Sequence, residues 1–177
     1  NHLYSTVPRE FEFCAENEEE LTNWQEAFRD RLRQALGLHN IEMDLSHHQP
    51  KAEMLKSEDM GDHIREEWYL WVEPTVPLPF YLLRPKEHNK GLPLALTPHG
   101  HSHPHIYVGI ANNQKEEEEI TEGERDIACQ AVRQGYLTIA PTTRAFGETR
   151  ATIDRNNDKV NSCRTALMHG LLVGRTP

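Results

Sequence analysis

Cysteine is scarce in this chain, since only three of its 177 residues are cysteines: Cys14, Cys129 and Cys163. None of them lies in a Cys-x-x-Cys pair or a zinc-ribbon spacing, and three are too few for a disulfide framework. We therefore expect small buried core residues. Their low number favours a reducing, cytoplasmic location, although the chain begins at Asn1 rather than methionine and so leaves a removed leader open.

The sequence also has no excess of positive charge and no long apolar run. Its 19 Lys and Arg residues are outnumbered by 28 Asp and Glu residues, which gives a formal net charge of -9. Such a chain is poorly suited to nucleic-acid phosphates, so we expect no nucleic-acid partner. No segment approaches the ~18 consecutive apolar residues of a membrane helix, so we expect no membrane partner. Acidic runs at 16–20 and 116–119 are interpreted as solvated surface.

An amphipathic helix is predicted near the start of the chain. Asn17 is a suitable N-cap with Glu20 three residues later, and apolar residues recur at helical spacing from Leu21 to Leu36. Gly37 then ends the helix. The pattern dissolves between 41 and 60, which we interpret as a connector. Residues 1–60 are therefore expected to form an N-terminal helical extension.

A pair of antiparallel strands is predicted next. Trp68, Leu70 and Val72 alternate with their neighbours, as in a strand whose two faces differ. A proline-rich turn follows, and the apolar segment 80–83 is the predicted partner strand. Two strands joined by so short a turn are expected to pair at one edge of a sheet.

Strand and helix alternate in the remaining sequence. Segment 94–97 is predicted to be a short buried strand, 123–134 a helix that ends at Gly135, and 136–140 a second buried strand. This order is typical of a crossover between neighbouring parallel strands, with the helix packed on one face of the sheet. The helix would bury Ile127, Ala128, Ala131 and Val132. A last helix is predicted at 160–173, and the fold class is α/β.

A loop rich in histidine follows the strand at 94–97. His99, His101, His103 and His105 alternate with other residues around Gly100. Residues two apart share one face of an extended segment, so these imidazoles could bind a metal. Zinc sites usually add ligands from distant segments, and no cysteine here has a ligand partner nearby, so we expect loop histidines without a metal.

Ser102 lies in a partial match to the Gly-x-Ser-x-Gly turn that presents a nucleophilic serine. Pro104 stands in place of the last glycine, and no helix is expected after it. Ser102 is therefore interpreted as a polar loop residue.

Two segments, in this order, resemble a known family. The tetrapeptide at 98–101 (Pro-His-Gly-His) follows the first buried strand, and the nonapeptide at 141–149 (Pro-Thr-Thr-Arg-Ala-Phe-Gly-Glu-Thr) follows the second. With the opening antiparallel pair, residues 68–177 resemble the N-terminal half of an α/β-hydrolase of the acetyl xylan esterase and dienelactone hydrolase-like branch. The resemblance implies that 61–177 form the first half of the hydrolase core, in which antiparallel opening strands precede parallel strands with crossover helices.

The same resemblance implies a carboxylic ester hydrolase with a serine nucleophile, which acts on a small-molecule or carbohydrate ester without a cofactor. No Gly-x-Ser-x-Gly turn occurs in the sequence. The catalytic Ser, Asp and His are therefore expected beyond Pro177, in a continuation of the chain or a separate nicked chain, and these residues alone are expected to be inactive. Two alternatives stay open: a noncatalytic binding module that uses the same cleft, and a metallohydrolase lined by histidines.

The candidate oxyanion site lies at the end of the first parallel strand, at the edge where open α/β sheets bind ligands. Ester hydrolysis develops negative charge on a carbonyl oxygen, which fixed backbone N–H groups stabilise. Gly100 and His101 are the candidate donors, and His99 is expected to shape the pocket.

The loop after the second parallel strand supplies the other candidate site residues, Arg144, Phe146 and Gly147. An arginine at this position could hold a polar acyl or sugar group. It could instead form an ion pair with a nearby carboxylate such as Glu148.

Overall fold

The computed structural model describes residues 5–87, 91–156 and 162–176. The chain divides into two compact units, one formed by residues up to 46 together with 170–176, the other by 47–169. The sequence predicted an N-terminal extension up to residue 60, whereas the unit that carries the sheet begins at His47. The sheet belongs entirely to the second unit.

The helical unit contains α1 (Glu18–Ala35) and α2 (Leu38–Asp44). The predicted cap is confirmed, because the side chain of Asn17 accepts the N–H of Glu20 at 3.0 Å. Gly37, at φ +65°, separates the two helices, as expected for a residue that ends a helix in the left-handed region. The apolar stripe of α1 contacts aromatic residues that precede the helix: Trp24 stacks on Phe28, with Phe11 and Phe13 edge-on to them.

The second unit is built on a five-stranded sheet in the order β1-β2-β3-β5-β4. Its strands are β1 (Lys51–Asp59), β2 (His63–Trp71), β3 (Pro77–Pro85), β4 (Leu94–Leu96) and β5 (Leu137–Pro141). The predicted antiparallel pairing of β2 with β3 is confirmed, and so is the parallel pairing of β4 with β5. Strand β3 also pairs antiparallel with β5, which joins the two halves of the sheet.

The interpretation of 41–60 as a connector is wrong, because helix α2 and strand β1 occupy most of it. Strand β1 pairs with β2 and is an edge strand, so the β2–β3 pair lies inside the sheet rather than at its edge. Nearly all of β1 is exposed, and it carries Lys51, Lys56 and three acidic residues. Charged residues are typical of edge strands, and they removed the alternation from which a strand is predicted.

Two helices lie between β4 and β5, α3 (Gln114–Thr121) and α4 (Ile127–Arg133). The predicted helix at 123–134 is shortened, since Glu124 at φ +50° is incompatible with a continuous helix. Helix α4 packs on β3 and β5. The core contains Leu83, Val108, Ala128, Cys129, Val132 and Ala140, whereas Ile127, which was predicted to be buried, is exposed.

Strand β4 is not buried within the described residues, contrary to the sequence prediction. Leu94 is 61% exposed and Leu96 64% exposed. The strand pairs with β5 along one edge, and no described strand covers the other. An apolar run therefore predicts a strand here correctly but not its burial.

The last helix is α5 (Cys163–Val173), and residues 160–161 of its predicted range lie outside the described residues. The expectation of buried cysteines holds for Cys129 alone, because Cys14 is exposed and Cys163 is half-buried. Among the described residues, no helix is both long and apolar enough to cross a membrane.

Candidate functional site at the carboxyl ends of β4 and β5

Two loops meet where the parallel strands β4 and β5 end. The first runs from Thr97 to a 3-10 helix at Pro104–Val108, and the second runs from Thr142 to a 3-10 helix at Gly147–Thr149. Parallel neighbours end at the same edge of a sheet, so the loops that follow them are adjacent. All six residues predicted from the sequence lie in these two loops.

His99 links the two loops with both of its ring nitrogens. Its Nε2 accepts the backbone N–H of Thr143 at 3.0 Å, which requires Nδ1 to carry the proton and to donate to the carbonyl oxygen of Gly100 at 2.7 Å. The residue is 8% exposed, and burial lowers the pKa of its imidazole, which outweighs the opposing effect of the bond to Gly100. His99 is therefore a neutral residue that holds the loops together.

Phe146 packs against two histidines of the first loop, His99 and His101. Its ring lies edge-on to His99, with centroids 4.9 Å apart, and edge-on to His101, with centroids 5.5 Å apart. The structure thus brings together three residues that the sequence separates by up to 47 positions.

The backbone donors of the first loop are not equivalent. The N–H of Gly100 donates to the hydroxyl oxygen of Tyr107 at 3.2 Å. The N–H of His101 has no acceptor among residues 5–87, 91–156 and 162–176, and this residue is exposed. Of the two predicted donors, His101 is the one available to a ligand.

The second loop has an unusual backbone on both sides of Phe146. Ala145 is buried at φ +76°, and its carbonyl oxygen accepts the N–H of Ser162 at 3.0 Å. Gly147 follows at φ +48°, where an added Cβ would lie 3.3 Å from Cγ2 of Thr142 and 3.6 Å from Cγ of Pro104. A left-handed conformation of a residue such as Ala145 costs energy and occurs often at functional sites.

Arg144 is exposed and forms an ion pair with Glu73, on the connection between β2 and β3. The sequence left open an ion pair with a nearby carboxylate such as Glu148; the ion pair is present, but its partner is Glu73. Glu148 instead accepts the hydroxyl of Tyr69 at 2.8 Å. Both contacts join the second loop to strand β2 or its end, and neither partner is close in sequence.

A large open cleft of about 1280 Å³ lies beside these loops. Of the predicted residues, Arg144 and Gly147 line it, while His99, Gly100, His101 and Phe146 do not. The apolar part of its lining comes from the connection between β2 and β3 and from the start of β3, and contains Val72, Val76, Pro77, Leu78 and Pro79. The polar part of its lining includes His103, His105, Asn112, Glu116, Arg150 and Arg155.

His103, His105 and Glu116 form a cluster in the cleft lining that no sequence pattern predicted. Glu116 is 7% exposed, although the run at 116–119 was interpreted as solvated. Its carboxylate lies 2.9 Å from Nε2 of His105, and the ring of His103 stacks on that of His105. The only available signal was the position of Glu116 in the first turn after the N-cap Asn113, which cannot reveal a partner in another element.

The four histidines therefore do not form a single site. His99 bonds to Thr143, His101 contacts Phe146, and the other two face Glu116. Within the described ranges, no group of three or more His, Cys, Asp or Glu side chains is arranged to hold a metal ion.

Ser102 is half-buried and precedes the 3-10 helix at Pro104–Val108. The sequence predicted no helix after Ser102, so the short 3-10 helix differs from that prediction. It is a single 3-10 segment of five residues that begins with proline, rather than the longer helix of a nucleophile turn.

No protein-family model matches the sequence, and no curated protein matches it significantly. Solved structures do match. A candidate acetyl xylan esterase from Bacteroides fragilis NCTC 9343 superimposes with a TM-score of 0.71 at 19% identity, over 99% of this chain and 44% of that one. Methylesterase BT1017 gives a TM-score of 0.54 at 16% identity, over 90% of this chain and 32% of that one.

This chain thus spans less than half the length of either structure. At such low identity the likeness concerns the fold. The described residues form a mixed α/β fold with five strands and five α-helices, which matches part of each esterase. The resemblance to acetyl xylan esterase-like proteins that the sequence predicted is confirmed at the level of the fold.

Proposed function

We propose that this chain forms the oxyanion- and substrate-binding part of a carboxylic ester hydrolase similar to acetyl xylan esterases. The observation that carries the proposal is that the backbone N–H of the exposed residue His101, in the loop after β4, has no acceptor in the described part of the chain. In α/β-hydrolases an N–H from the loop after the corresponding strand contributes to the oxyanion hole. The fold shared with two esterases supports the proposal.

In this mechanism a serine oxygen attacks the ester carbonyl, and the carbonyl oxygen becomes negatively charged. The N–H of His101 donates a hydrogen bond to that oxygen and stabilises it. His99 and Phe146 fix the loop, so that the donor needs no reorganisation during the reaction. The ester belongs to a small molecule or a carbohydrate, and Arg144 in the cleft binds a polar group of it.

The nucleophile of the proposed enzyme lies outside these 177 residues, together with its acid and base. Ser102 is unsuited to the role, since Pro104 and a short 3-10 helix follow it. The remaining part is a continuation of the polypeptide or a separate chain.

Covalent labelling tests where the nucleophile lies. The natural polypeptide that contains these residues is assayed with 4-nitrophenyl acetate and labelled with a fluorophosphonate, and the modified serine is located by mass spectrometry. We expect hydrolysis, with the label on a serine outside the 177 residues. Labelling of Ser102 would contradict the assignment of the nucleophile.

The oxyanion role has its own test, because proline removes a backbone N–H. His101→Pro is expected to lower kcat by about 10²–10³-fold. His101→Ala is the matched control, since it removes the imidazole but keeps the N–H, and it should keep most of the activity. Thermal unfolding shows whether the proline variant is folded, and a folded proline variant with full kcat would refute the role.

A noncatalytic binding module is the second candidate function, and the size of the cleft favours it. In that case the natural polypeptide would bind a ligand saturably in this cleft without hydrolysing esters. The same assay, combined with a binding measurement, separates the two functions.

A further inference from the structure

The carboxylate of Glu116 lies in the cleft and has several polar partners. Its carboxylate accepts the N–H of Asn112 at 2.8 Å and lies 2.9 Å from Nε2 of His105, while Oε1 is 3.9 Å from Nε2 of His103. These bonds lower the pKa of the carboxyl group, although its burial acts in the opposite direction. Glu116 is therefore a fixed carboxylate that can orient a partner.

That carboxylate determines the tautomer of His105. A carboxylate only accepts hydrogen bonds, so Nε2 of His105 must carry the proton. The side-chain amide of Asn112, 2.8 Å from the same nitrogen, must then present its oxygen to the ring rather than its NH2 group. In a neutral ring Nδ1 is then the acceptor, and it has no partner in the described part of the chain.

The orientation of the ring is fixed as well. The rings of His103 and His105 stack, with centroids 5.3 Å apart and an angle of 24° between their planes. Glu116 holds one edge of His105, and His103 covers one face. His105 nevertheless stays partly exposed and lines the cleft.

We infer that His105 is a ligand-binding residue of the cleft and that Glu116 is its positioning residue, so that Nδ1 accepts a hydrogen bond from a hydroxyl group of a carbohydrate. This inference rests on the proposed function and extends it by naming a specificity-determining pair. The apolar part of the cleft lining supports the ligand class, because Val76, Pro77 and Leu78 offer apolar surface to the C–H face of a sugar ring. A sugar presents its hydroxyl groups at the ring edge, where an oriented acceptor binds them.

The first test is the tautomer itself, measured by 15N NMR of the His105 ring in the natural polypeptide. We expect the neutral form of the ring to carry its proton on Nε2 and not on Nδ1. Glu116→Ala should redistribute the proton between the two nitrogens, while Glu116→Gln, which keeps an acceptor oxygen, should largely preserve the wild-type signal. A proton on Nδ1 in the wild type would overturn the inference.

The second test is the affinity for xylotriose, an unesterified neutral sugar, measured by isothermal titration calorimetry. Loss of one hydrogen bond in His105→Ala should weaken binding roughly tenfold. His105→Asn places an amide oxygen near the position of Nδ1 and should restore most of the affinity. Glu116→Ala should weaken binding although it does not touch the sugar, and His47→Ala, at an exposed histidine, is the control.

Equal affinities of the wild type and a folded His105→Ala variant would refute the role of His105. Absence of xylotriose binding by the wild type would refute the carbohydrate class. Because no ester is cleaved in these measurements, a failure to hydrolyse esters would count against the proposed function alone.

Discussion

The Nε2 atom of His99 accepts the backbone N–H of Thr143 at 3.0 Å, across the gap between the loops that follow β4 and β5. The other ring nitrogen donates to Gly100, so the ring uses one acceptor and one donor. A protonated imidazole has two donors and no acceptor, and it would place an N–H against that of Thr143. The link between the loops therefore depends on a neutral His99.

The stability of the folded chain is expected to fall as the pH drops below about 6.5, the ordinary pKa of histidine. Burial lowers the pKa of His99 in the folded state, so the unfolded state binds the proton first. The stability that neutral His99 gives to the folded state is fully present above pH 6.5, and it is lost as the pH falls through the lowered pKa. Urea midpoints at pH 7.5 and 5.5 measure it.

His99→Phe should remove that part of the pH dependence. The variant loses two hydrogen bonds and should be less stable at pH 7.5 by about 1–3 kcal/mol, but its midpoint should change less between the two pH values. His47→Ala, at an exposed histidine, should keep the wild-type pH dependence. If the urea midpoint fell by the same amount between pH 7.5 and 5.5 in His99→Phe and in the wild type, His99 would not be the source of this pH dependence.

Gly37→Ala is expected to loosen the helical unit. Its φ of +65° is strained for alanine, and the added Cβ would collide with the carbonyl oxygen of Gly174. Gly174→Ala is the matched control in the same unit, since it has φ +66° and its Cβ would only reach the flexible side chain of Asn40, at 3.4 Å. The collision should cost about 1–3 kcal/mol more than the control, measured by hydrogen exchange of peptides from 18–44. Similar exchange in both variants would argue against this packing.

Cys129 is expected to resist alkylation in the folded chain. It is buried in the core, and burial raises the pKa of its thiol to about 11, so little reactive thiolate forms at pH 8. Cys14 is exposed and should react rapidly with iodoacetamide. Peptide mass spectrometry over time measures both rates, and denaturant should make them similar. Equal rates without denaturant would show that Cys129 is accessible.

The exposed edge of β4 should promote self-association of the isolated 177-residue chain. Leu94 and Leu96 lie exposed on a strand whose second edge no described strand pairs, and such an edge can pair with another copy. Leu96→Lys should shift the chain towards the monomer in light scattering coupled to size exclusion. Val7→Lys, at an equally exposed residue outside the sheet, should not. A monomeric wild type at micromolar concentrations would contradict the prediction.

Much of the architecture could be predicted because its signals are local. The cap at Asn17, the left-handed glycine at Gly37 and the alternation from Trp68 each depend on a few neighbouring residues. The parallel pairing of β4 with β5 followed from the order of strand, helix and strand. Strand β1 was not predicted, because an exposed edge strand needs no apolar pattern.

The candidate site was predictable in position but not in its contacts. The sequence placed His99 and Phe146 at the ends of neighbouring strands, and the structure brings their rings together. It did not reveal that Tyr107 occupies the N–H of Gly100, which leaves His101 as the available donor. The hydroxyl that makes this difference is seven residues away along a folded loop.

The sequence by itself determined the α/β class, the crossover and the edge of the sheet at which the candidate residues gather, because hydrophobic periodicity and turn residues act over short distances. Tertiary structure alone decided which charges meet. Arg144 pairs with Glu73, 71 residues away, and Glu116 is buried against His105 rather than solvated with its neighbours. Such pairs depend on how strands and helices pack, and a linear pattern of charges does not contain that information.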